Sequence, residues 1–71
     1  MKRRFEFVSG SSAKFYEVEI IGSEVSVTFG RLGTGGQTQS KSFVDPVAAQ
    51  KHADKIIQQK LAKGYVEQTA A

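Results

Sequence analysis

A chain of 71 residues without cysteine makes one small domain that buries roughly 60% of the surface its unfolded form exposes, which excludes disulfide staples, thiolate metal sites and a deep enclosed catalytic pocket. The net charge of +3 is unevenly laid out. Lys2, Arg3 and Arg4 open the chain, residues 5–24 set Glu6, Glu17, Glu19 and Glu24 against Lys14 alone, and residues 25–63 set Arg31, Lys41, Lys51, Lys55, Lys60 and Lys63 against Asp45 and Asp54. A basic second half is a weak polyanion footprint, with a merely solvated face as the competing reading. Met1-Lys2-Arg3-Arg4 leads into Phe5-Glu6-Phe7 instead of an apolar run, so neither a secretory signal nor a membrane span is expected and the chain reads as soluble and cytoplasmic.

In chain order, residues 4–8 predict a first strand with Phe5 and Phe7 on one face, followed by a small polar loop, Ser9-Gly10-Ser11-Ser12. Residues 14–21 predict a second strand: Tyr16, Val18 and Ile20 form an apolar face, and Phe15, Glu17, Glu19 and Ile21 a mixed one. Gly22-Ser23 suits a tight hairpin turn into a third strand over residues 24–29, whose Val25, Val27 and Phe29 share a face. Residues 38–43 form the fourth strand. Asp45 as N-cap and Pro46 at the first helical position then open a helix over residues 46–63, with Ala49, Ala53, Ile56, Ile57 and Leu61 at spacings of three and four. Gly64 closes the helix, Tyr65 and Val66 fold back, and residues 67–71 are expected to be a frayed tail. The whole reads as one α+β domain: a four-stranded antiparallel sheet whose Val18, Ile20, Val25 and Val27 face carries the single C-terminal helix, Ile56 being buried there. One helix covers one face, so the other is wet or meets a partner.

The stretch from Phe29 to Phe43 holds four of the seven glycines and one of three arginines, a hairpin that presents Arg31. No helix follows its glycines, so neither a P-loop nor a dinucleotide loop is available. What remains is a flexible loop whose backbone N–H groups are free to meet a phosphate, or a hairpin connection that needs positive φ. Arg31 has a planar fork suited to phosphate oxygens, with Gln37, Gln39 and Lys41 around it and no acidic neighbour in the sequence. Phe29 has two readings, a core residue in phase with Val25 and Val27 or a platform turned outward by a bulge before Gly30. His52, the single histidine, reads as a solvated side chain with no second metal ligand beside it. No pair of carboxylates or Ser-His-acid set suggests catalysis, and no metal, cofactor or small-molecule substrate is expected.

Phe29-Gly30-Arg31-Leu32-Gly33, followed by Gly36-Gln37 and the strand with Lys41 and Phe43, resembles the WGR domain, which is found beside the catalytic domain of DNA-dependent poly(ADP-ribose) polymerases and in small bacterial proteins. The likeness extends from Phe15-Tyr16-Glu17-Val18 to the Ala-rich helix and so covers nearly the whole chain, 1–71, with Phe29 standing where the signature has Trp. In that family the signature Trp and Arg engage DNA ends and breaks, and the Arg also bridges to neighbouring domains. The resemblance therefore implies a non-catalytic DNA-binding module, with Phe29, Gly30, Arg31, Gln37, Gln39 and Lys41 as its contact residues. The alternative is a protein-interaction domain that uses Arg31 and the open sheet face.

Overall fold

Strict alternation of apolar side chains in the first half of the chain builds the sheet, and the two short Gly-Ser turns set its register. In the computed structural model, which describes residues 2–68, β1 (Lys2–Ser9), β2 (Ser12–Ile21), β3 (Glu24–Arg31) and β4 (Gln37–Ser42) are followed by α1 (Pro46–Ala62) and a short β5 (Val66–Gln68). All pairings are antiparallel and the order across the sheet is β4-β3-β2-β1-β5. Ile21 faces Glu24 across the Gly22-Ser23 turn, as expected. Ser9 faces Ser12 across Gly10-Ser11, so the first loop is tighter than the sequence suggested, both strands having grown into it. No helix among the described residues is long and apolar enough to cross a membrane.

The sheet has five strands, not four. Residues 66–68 pair with Arg4, Phe5 and Glu6, so Glu67 and Gln68 belong to an edge strand, and residues 69–71 of the expected tail lie outside the described residues. Two contacts hold this strand. The Tyr65 ring sits 5.4 Å from that of Phe7, and the Arg3 guanidinium donates two hydrogen bonds, of 2.7 and 2.6 Å, to the Glu67 carboxylate. Tyr65 is 9% exposed but Val66 is 63% exposed, so only the tyrosine folds inward. Three residues are too few to show a period, which is why the strand escapes a pattern search.

The core lies between α1 and one face of β1, β2 and β3. Phe5, Val18 and Val25 are buried against Ala49, Ala53 and Ile57, with Phe7, Tyr16, Ile20, Val27, Phe43 and Ile56 packed partly buried around them. Alanine at two successive contact turns lets the helix backbone approach the sheet closely. Asp45 caps the helix as expected, its Oδ1 accepting the Ala48 N–H at 2.8 Å. The deepest isoleucine is Ile57, not Ile56, because the 49, 53, 57 row runs along the contact line at i, i+4. Leu61, expected in the stripe, is 41% exposed; in the last turn it is Lys60 whose stem lies on the sheet, its ammonium 4.4 Å from the Tyr16 ring centre.

Two measurements check this packing. Ile57→Ala is expected to cost about 2–5 kcal/mol in urea unfolding and Ile56→Ala less, whereas Lys55→Ala stays within about 0.5 kcal/mol. The second concerns pH: hydrogen bonds from Arg3 hold the Glu67 carboxyl below its usual range. A carboxylate whose folded-state pKa is depressed stabilises above its unfolded value, and that contribution disappears as the pH falls through the folded one. Acidification through the carboxylate range should therefore remove a part of the stability that Glu67→Gln already lacks, and parallel pH profiles for the two proteins would disprove the coupling.

Candidate nucleic-acid interface

The β2–β3 register brings the site together. Lys14 faces Arg31, Phe15 faces Gly30, and Tyr16 faces Phe29. By strand alternation Lys14, Tyr16, Phe29 and Arg31 lie on the helix side of the sheet, in line with Val18 and Val27. α1 covers the rows around Val18 and Val25, but the Tyr16–Phe29 and Lys14–Arg31 rows extend past its last turn. They leave an open groove of about 720 Å³ lined by Lys14, Tyr16, Phe29, Arg31, Lys60 and Tyr65. Its floor is a ring pair, Tyr16 and Phe29, with centroids 5.9 Å apart and planes inclined by 21°.

Phe29 keeps the phase of Val25 and Val27; no bulge turns it outward. It is half-buried, a ring at the edge of the core that also lines the groove. Of the glycines beyond it, Gly30 and Gly36 are packed on the other side. The segment 32–36 folds across the face opposite the helix and covers Phe15, which is only 4% exposed although it lies outside the main core. Gly36 has φ 72°, and a Cβ there would stand 2.5 Å from the Phe29 carbonyl oxygen and 2.8 Å from the Phe15 ring. A Cβ on Gly30 would in turn meet the Gly36 Cα at 2.8 Å. Thr34 fastens the turn, its N–H and its hydroxyl both donating to the Arg31 carbonyl, at 3.1 and 2.7 Å. The glycine-rich stretch is thus a packed cover with two close backbone approaches, and its conformation is set from beneath by Phe15.

Ion pairing separates Arg31 from the other two arginines of the chain. Arg3 is taken by Glu67, and Arg4 by Glu6 and Glu17 at 3.0 and 3.4 Å. Among the described residues no carboxylate lies within ion-pair distance of Lys14, Arg31, Lys60 or Lys63. The amines rest on rings instead: Lys14 lies 5.3 Å from the Phe7 centroid, and Lys60 4.4 and 5.5 Å from those of Tyr16 and Tyr65. Burial first, then the charges of Lys63 and Lys14, hold the Lys60 amine below its usual range. Burial, with Tyr65 nearby, pushes the Tyr16 phenol up. Lys14 and Arg31 are register partners on neighbouring strands, and the Lys14 amine leans towards Phe7 on the β1 side.

Of the residues singled out in the sequence, Phe29, Gly30, Arg31 and Gln39 meet at this groove. Gln37 is opposite Phe29 at the start of β4. Lys41 is opposite Val25, which six residues of strand, about 20 Å, separate from Arg31; its ammonium lies 5.5 Å from the Phe43 ring centre. His52 is not simply solvated but half-buried, its ring 4.7 Å from Phe43. Lys14, Tyr16, Lys60 and Lys63 were not anticipated. Counting back from the Gly22-Ser23 turn would have paired Lys14 with Arg31 and Tyr16 with Phe29, but no pattern in the sequence shows where the helix ends over the sheet.

The sequence model of the WGR domain matches residues 1–71. The chain belongs to the WGR domain family. This WGR domain is 47% identical to protein YehF of Escherichia coli K12 over 66 residues, which cover 93% of the chain and 24% of YehF. It is 36% identical to YfeS of the same strain over 67 residues, 94% of the chain and 28% of YfeS. A crystal structure of a Bacteroides fragilis protein has a matching fold, with a TM-score of 0.94 and 46% identity over 97% of this chain and 20% of that one. The WGR domain thus spans about a quarter of the length of the curated relatives it matches.

The packed loop is tested by two neighbouring glycines. Gly36→Ala is expected to cost about 2–5 kcal/mol through its positive φ and its clash with Phe29 and Phe15, while Gly35→Ala, with open space around it, should be nearly neutral. Phe29→Ala should cost about 1–3 kcal/mol, as befits a half-buried ring. Thermal or urea unfolding measures all three, and equal effects at positions 35 and 36 would remove the packing account of the loop.

Proposed function

We propose that this WGR domain is a non-catalytic DNA-binding module that recognises duplex ends or nicks through phosphate contacts from the Arg31 hairpin. The observation that supports this best is the Arg31 guanidinium itself, at the end of β3, opposite Lys14, exposed, and without a carboxylate partner among the described residues. The packed Gly30–Gly36 contact fixes the backbone that carries it, so its fork is presented from a set position. Phe29 supplies ring surface beside it, Gln37 and Gln39 supply amide groups along β4, and Lys41 offers a further cation at the far end of that strand.

A second reading, a protein-interaction domain, draws on the face opposite the helix. There Val8 and Ile21 are 69% and 57% exposed, beside hydroxyl pairs between Thr28 and Thr38 and between Ser26 and Ser40. The matched relatives are also several times longer than this chain. Salt separates the two readings, since phosphate binding weakens steeply with ionic strength and an apolar interface hardly responds.

The test is a titration of blunt, nicked and single-stranded oligonucleotides at two salt concentrations. Arg31→Ala should weaken duplex binding at low salt and make the slope of log affinity against log salt shallower by about 0.9, the share of one phosphate contact. Arg31→Lys should restore affinity only in part, because an ammonium lacks the two-pronged geometry. Lys41→Ala should act in the same direction with a smaller effect. Duplex binding with an unchanged salt slope in Arg31→Ala would overturn the assignment, and no binding by the parent protein at low salt would favour the second reading.

A further inference from the structure

We propose that the groove between the last turn of α1 and the ends of β2 and β3 takes an unpaired stretch of nucleic-acid strand, so that the domain holds a single-stranded tail beside the duplex end that Arg31 contacts. This rests on the DNA-binding reading above and assigns Tyr16, Lys60 and Lys63 to the ligand.

Three features of the groove lead there. Its cations lie on both of its walls, Lys14 and Arg31 on the strands and Lys60 at the helix end, with no carboxylate among its lining residues. Its floor is aromatic, the stacked Tyr16–Phe29 pair. A cationic channel with ring surfaces along it is the arrangement that holds single strands without regard to sequence, the phosphates meeting the amines and the bases meeting the rings. Its volume, about 720 Å³, is large enough to seat a group of nucleotide size in an open groove.

Depth decides between an unpaired strand and a duplex. Lys60 is only partly exposed, its ammonium drawn down to 4.4 Å from the Tyr16 ring centre. A duplex keeps its bases stacked inside a stiff cylinder and presents phosphates at the outer surface, so it can meet Arg31 at the rim but cannot send a base to the groove floor. An unpaired strand has free backbone torsions and exposed base faces. When it enters, the Lys60 amine can exchange its ring contact for a phosphate oxygen, a stronger, charge-assisted interaction. Lys63, the C-cap of α1 and adjoining Lys14, Lys60 and Tyr65 in a neighbouring depression, extends the cationic path along the helix end.

The test compares three fluorescent probes by anisotropy at low salt: a blunt duplex, the same duplex with a tail of about six thymidines, within the usual single-strand site size, and the tail alone. The tailed duplex is expected to bind about tenfold more tightly than the blunt one, the effect of roughly one base stacked on a ring. Lys60→Met, which keeps the stem over Tyr16, and Lys63→Met should each lower the tailed-to-blunt affinity ratio towards one. Lys55→Ala, on the exposed side of α1, should leave the ratio as it is, which controls for net charge; circular dichroism confirms that each variant is folded. Equal affinity for tailed and blunt probes, or a ratio unmoved by both methionine variants, overturns this proposal and leaves the duplex reading standing. Absence of binding to every probe overturns both, and binding of the tail alone with no affinity for blunt duplex overturns the duplex reading and keeps the groove.

Discussion

The register of the β2–β3 hairpin is the constraint on which the site depends. With Ile21 facing Glu24 across the Gly22-Ser23 turn, each later pair follows by counting, through Val18–Val27 in the core to Tyr16–Phe29 and Lys14–Arg31 at the far end. A slip of β3 by one residue against β2 would move Val25 and Val27 to the open face together with Phe29 and Arg31. Core and candidate interface therefore have a common determinant. What stabilises the apolar rows also sets two cations side by side beyond them.

The helix contributes by where it stops. Asp45 and Pro46 fix its start, and the alanines at 49 and 53 let it settle on β2 and β3 with Ile57 as its deepest large side chain. By the last turn the row has shifted from apolar side chains to Lys60, whose long stem covers ring surface while its amine stays beside Tyr16. Packing thus passes gradually into a polar surface. The Tyr16 and Phe29 rings belong to both, which is why Phe29 satisfies neither of the two simple descriptions of it, buried core or free platform.

Much of this was legible in the residues. Alternation gave the faces of β1 to β3, Asp45-Pro46 the start of the helix, and the Phe29-to-Gly33 motif the family. The remainder depends on contacts far apart in sequence. β5 exists because Arg3 meets Glu67 and Phe7 meets Tyr65, and no local period encodes such a pairing. Phe15 looked like one apolar residue on a mixed face, since its cover comes from the returning loop and from Arg4 of β1. The burial order of Ile56 and Ile57 turned on a rotation of the helix too small to read from spacing. On the site, Phe29, Gly30 and Arg31 share one strand and were found together, whereas Lys60 and Lys63 arrive from the helix, and only the fold brings them there.

The unpaired cations also affect the energetics of the folded domain as a whole. Folding gathers Lys14, Lys60 and Lys63 near Arg31 at one end without a compensating carboxylate among the described residues, so the repulsion of the three lysines is a cost that the unfolded chain largely avoids. Dissolved salt relieves that repulsion and at the same time competes for any polyanion at the site. Thermal stability and ligand affinity should consequently respond to ionic strength in opposite directions. A bound polyanion would take over the role of salt, neutralising the cluster and shifting the unfolding equilibrium by linkage.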